Sequence, residues 1–181
     1  MESLYETWLN RIDSYYESLY KEPVIEYLCQ YGGGSTDGRM ARGKVFNAGY
    51  EVFIYAFFLG LYYGERKPLS GEKLKFRMEM STWGGKKNQS DRKSYRILQK
   101  YIFTALVAKS DIDLIALDKG DVDPKSVCDV LMTTLNEYAN SGLFLMKQQI
   151  DKRPDVFFEN KGLLDFIRNF LRGRIKGEYF W

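Results

Sequence analysis

Between Val45 and Tyr63 the chain runs VFNAGYEVFIYAFFLGLYY, apolar on nearly every side. A segment of this kind has two homes, a bilayer or the middle of a folded core. Asn47, Gly49, Glu51 and Gly60 cut the uninterrupted apolar run to about a dozen residues, short of the ~20 that a membrane span requires. The segment therefore reads as a central helix buried on all sides, with no membrane partner.

The flanking sequence supplies helices to surround it. Leu4, Trp8, Ile12, Tyr15 or Tyr16, and Leu19 recur at steps of three or four and predict one amphipathic helix that Pro23 ends. A short element at 24–28 runs into the glycines at 32–34, where a helix stops. Residues 64–90 carry Gly64, Pro68, Gly71, Gly84 and Gly85 and read as loops around one short helix or strand within 72–82. Ser90 or Asp91 can cap a helix over 91–108 with Leu98, Tyr101, Ile102, Ala105 and Leu106 facing inward. Asp123-Pro124 starts another helix through Tyr138, Gly142 opens a separate apolar stretch to Ile150, and Leu163, Leu164, Ile167, Phe170 and Leu171 mark a last helix. Period-two alternation and internal repeats are nearly absent. The expectation is an all-α, single-domain bundle of five to seven helices over residues 1–181.

Composition narrows the chemistry. The chain has no histidine, which removes histidine-based zinc sites and the Ser-His-Asp and Cys-His hydrolases. Cys29 and Cys128 lie far apart in apolar surroundings, as reduced buried thiols of a cytoplasmic protein do. The opening residues, MESLYETW, are acidic where an export leader is basic.

Three stretches mimic known motifs without meeting their structural requirements. Gly38 to Lys44 has the glycine–lysine spacing of a phosphate-binding loop, but Val45 replaces the hydroxyl residue and no strand leads into it. Leu114–Asp118 resembles the acidic strand that holds magnesium in such enzymes. Pro154-Asp155 and Glu159-Asn160-Lys161 supply the letters of a metal-dependent nuclease, with too short a gap for two strands. An NTPase or nuclease is thus the weakest reading, and no catalytic residue, metal or cofactor is assigned.

Charge carries the stronger signal. Seven acids and two bases give residues 1–37 a net −5, fourteen bases and five acids give 38–100 a net +9, and 101–181 come to −1. If 91–108 is helical, Arg92, Arg96 and Lys100 fall at i, i+4 and i+8 with Lys93 beside them, while Lys86, Lys87, Arg39, Arg42 and Lys44 flank them in sequence. Like charges one turn apart repel, so the row needs either acids from residues 1–37 or an anionic partner. These nine residues are the candidate interface for nucleic-acid backbone. Fourteen Tyr and twelve Phe, with Tyr179-Phe180-Trp181 at the end, support an alternative: an assembly subunit with an aromatic docking surface.

Gly49-Tyr50-Glu51-Val52-Phe53 followed by Leu59-Gly60 resembles the Gly-x-Glu-Phe…Leu-x-Gly pattern of the DndE family, over about a dozen residues and with the spacing off by one. The resemblance implies a small helical accessory of bacterial DNA phosphorothioation that holds duplex DNA within a modification or defence complex, alongside partner proteins and compatible with a homo-oligomer. It transfers no catalytic residue.

Overall fold

Ser3 starts the first helix. In this computed structural model, which describes residues 3–29, 45–76, 78–84, 95–159 and 161–175, with side chains to 168, the Ser3 hydroxyl accepts the Glu6 N–H at 3.2 Å and the Glu6 carboxylate accepts the Ser3 N–H at 2.9 Å. This reciprocal cap opens α1, Leu4–Leu9. The single helix expected to run on to Leu19 ends here. Asn136 accepts the Tyr15 N–H at 2.9 Å and donates to the Asp13 carbonyl at 3.0 Å, holding the chain extended. Tyr15–Glu17 form β1, which pairs antiparallel with β2, Lys73–Lys75, and buries Tyr16 against Phe76. Partners distant in sequence override the local helical spacing. Pro23 does not terminate a helix either. It lies inside the π-helical Lys21–Glu26 segment, near its start, where a missing N–H loses nothing.

The apolar stretch forms α2, Gly49–Tyr63, closed by Gly64 at φ 82°. Val52, Phe53, Ala56 and Phe57 are wholly buried, as expected of the central helix. Among the described residues no helix is long and apolar enough to cross a membrane. α3 spans Arg96–Lys109, and α4, Leu114–Lys119, is capped by Asp113, whose carboxylate accepts the Ile115 and Ala116 N–H groups at 3.0 and 2.9 Å. The stretch that mimicked a magnesium-holding strand is this short helix.

α5 is one 29-residue helix, Pro124–Lys152, begun by Asp123 and Pro124 as the sequence indicates. It passes through Gly142 unbroken, where two shorter elements were expected. The reason is the crossing with α2: a Cβ on Gly142 would run into the Ala56 carbonyl, and one on Gly60 into the Tyr138 carbonyl. The two backbones touch, and the glycine that reads as a breaker is a contact point. α6, Gly162–Ile175, follows a turn at Val156–Phe158, with Phe157 edge-on to Phe166 at 5.3 Å. The architecture is all-α, a bundle packed about α5 and its apolar partner α2, with one two-stranded ribbon.

Glu17 ties the ribbon to the bundle. Its carboxylate, only 2% exposed as a residue, accepts the Ser70 and Gly71 N–H groups at 2.6 and 3.3 Å and the Asn140 amide at 3.3 Å. Asn140 also donates to the carbonyls of Lys67 and Pro68. Burial pushes the Glu17 carboxyl up, but these donors outweigh it and hold it below the usual carboxylate range. Burial of the Tyr20 phenol, and then the Glu17 charge nearby, push it up to about 12. No disulfide joins Cys29 and Cys128, both buried, and burial with Glu51 and Glu26 nearby pushes the Cys29 thiol up to about 12, leaving it inert.

Candidate nucleic-acid interface

Seven of the nine candidate cations, Arg39, Arg42, Lys44, Lys86, Lys87, Arg92 and Lys93, lie outside the described residues, as do the caps Ser90 and Asp91 and the tail 179–181. Arg96 and Lys100 are described, and α3 brings them together one turn apart on its solvent face.

What fixes that face is the docking of the opposite one. Ile102 and Leu106 are wholly buried. Gln99 is buried with them, donating its amide to the Met80 carbonyl at 2.5 Å. Phe103 meets Tyr5 edge-on at 5.2 Å and lies 5.4 Å from Trp8, so α3 leans on α1. At its entry Tyr95 donates its hydroxyl to Glu51 at 3.0 Å and packs edge-on to Tyr50, which stacks on Trp83 at 5.5 Å. Gly84, at φ 84°, lies flush beneath the Tyr95 ring, where a Cβ would strike it. At the far end Ser110 donates its hydroxyl to Thr134 of α5 at 3.0 Å. With both ends and the inner face held, the helix has no rotational freedom to re-aim its outer residues.

This docking corrects the sequence reading in one respect. Tyr101, expected inward, is 64% exposed, and Ile97 is 69% exposed. The buried stripe runs through Gln99, Ile102 and Leu106, not through Tyr101. A polar residue, Gln99, stands in that stripe, and the spacing of apolar residues does not mark it. Taken from Gln99, the 100° helical step puts residue 101 about 200° away, on the opposite side.

The outer face thus holds two parallel rows, Arg96 with Lys100 and Ile97 with Tyr101, continued by exposed Thr104 and Ala108. No Asp or Glu occurs anywhere in α3. Four of the seven N-terminal acids that could act as internal counter-charges serve elsewhere: Glu6 at its cap, Asp13 on Arg11 at 2.7 Å, Glu17 in its buried network and Glu26 beside Lys21; Glu2 and Asp37 lie outside the described residues. Lys100 makes no ion pair with a described residue.

Other cations are engaged internally. Arg66 pairs with Glu137 at 2.6 Å, Lys67 sits 3.6 Å over the Phe144 ring, and Arg153 holds Glu159 of the nuclease mimic at 2.5 Å. A polar groove of about 480 Å³ lies between β1, the 68–73 loop and α5. Its Arg11 is clamped by Asp13 and by Asp129 at 2.6 Å, and its Glu137 is held by Arg66. No cluster of three or more His, Cys, Asp or Glu side chains able to hold a metal occurs among the described residues. The chain matches no protein-family model, no curated protein and no solved structure.

Proposed function

We propose that this protein binds nucleic acid through the outer face of α3, with Arg96 and Lys100 on the phosphate backbone and the remaining candidate cations as its extension. The observation that carries the reading is a fourteen-residue helix without an acid, firmly docked on one side and presenting two cations one turn apart on the other. Like charges one turn apart repel by a few tenths of a kcal/mol, and a polyanion relieves that repulsion while releasing its own counterions. The DndE resemblance agrees with this reading in naming a DNA-holding accessory, and a role in a modification or defence complex rests on that resemblance alone.

Exposed Ile97 and Tyr101 favour one further reading, a protein-docking surface, because aromatic residues anchor interfaces. Salt separates the two. A backbone contact predicts that log K falls by about 0.9 per phosphate contact for each log unit of salt. A gel-shift salt series on wild type and on Arg96→Glu/Lys100→Glu should show a steep slope that the double variant abolishes along with binding. A flat salt response, or an unchanged double variant, would discard the proposal.

A further inference from the structure

We infer that the α3 face binds strands with unpaired bases in preference to intact duplex, with Tyr101 as the stacking platform. The inference rests on the nucleic-acid reading above and specifies its substrate class. Tyr101 is 64% exposed, belongs to none of the ring pairs and makes no hydrogen bond through its hydroxyl with a described residue. Yet it sits on a helix whose opposite face is docked through Gln99, Ile102 and Leu106, so its exposure is imposed by the fold. It adjoins Lys100 in sequence, and Ile97 lies one turn behind it, giving an apolar wall and a π-face directly beside the cation row.

In a duplex the faces of the bases are covered by their neighbours, and a ring of this kind finds only sugar and phosphate edges. In a single strand, gap or flap the bases are free to splay, and a ring flanked by cations can hold a base while lysine and arginine hold its phosphates. Charge complementarity between the acid-free cation row and a polyanion selects nucleic acid over a protein segment as the occupant.

The test compares a short labelled oligo-dT with a blunt duplex of equal length at low salt. Wild type should bind oligo-dT more tightly. Tyr101→Ala should weaken oligo-dT binding by about tenfold, within the range that base–aromatic stacking supplies, and leave duplex binding unchanged. Tyr101→Phe, which keeps the ring, should bind as wild type. Arg96→Glu/Lys100→Glu should lose both probes.

Loss of both probes by the charge variant with oligo-dT binding intact in Tyr101→Ala would overturn the stacking inference and leave the backbone reading standing. Equal weakening of both probes by Tyr101→Ala would likewise end the preference for unpaired bases. Failure of wild type to bind either probe would end both readings. A change of oligomeric state in Tyr101→Ala without change in binding would reassign the ring to a protein contact.

Discussion

Where α2 crosses α5, Gly60 and Gly142 remove every side-chain atom so that two backbones can meet, whereas along the outer face of α3 the bulky Ile97 and Tyr101 stand mostly in water. Both regions depart from the ordinary arrangement of large apolar residues inside and small or polar ones outside. At the crossing the departure has a structural cause, since a methyl group has nowhere to go. On α3 no ring pair or hydrogen bond among the described residues uses the Ile97 or Tyr101 side chain. The contrast teaches that stability in this protein is concentrated in the α2–α5 pair, and that the α3 face is available for a partner without loss to the fold.

The sharpest way to break this comparison is Gly142→Ala. In an exposed helix that change gains up to about 1 kcal/mol from helix propensity. Here it should destabilise by about 3 kcal/mol, because the clash is with backbone and no flexible side chain can yield. Urea unfolding gives the sign directly, and a stabilised variant would mean that the crossing is looser than described.

A middle-sized effect tests the polar tie between ribbon and bundle. Glu17→Gln can keep an acceptor oxygen for the three N–H donors, all of which meet Oε1, but it removes the negative charge that strengthens those bonds and should lose about 1 kcal/mol at neutral pH. The wild-type carboxyl has its folded pKa below the unfolded value of about 4.3, so its contribution is present above that pH and fades as pH falls through the folded value. The difference between wild type and Glu17→Gln should therefore shrink on acidification. A difference constant across that window would show that the charge of Glu17 is immaterial.

The smallest effect belongs to the outer face. Tyr101→Ala and Arg96→Glu/Lys100→Glu should each leave the unfolding free energy within about 0.5 kcal/mol of wild type, while altering nucleic-acid binding as set out above. A large stability loss in either variant would place those side chains in the fold's own packing and blur the contrast with the crossing.

Local pattern alone was enough for the elements whose information is contiguous. The apolar run of α2, the Asp123-Pro124 start of α5 and the all-α class follow from periodicity and capping, because a helix closes its hydrogen bonds within four residues and reports its buried side by spacing. The pairing of Arg96 with Lys100 on one face was legible for the same reason. Only the tertiary structure turned Tyr15–Glu17 into a strand, since Asn136 and Phe76 lie far along the chain. It alone carried α5 through Gly142, and it alone rotated α3 so that Gln99 went in and Tyr101 came out. In each case a partner remote in sequence outweighed a local preference of a few tenths of a kcal/mol to about 1 kcal/mol per residue, and spacing along the chain carries no record of such a partner.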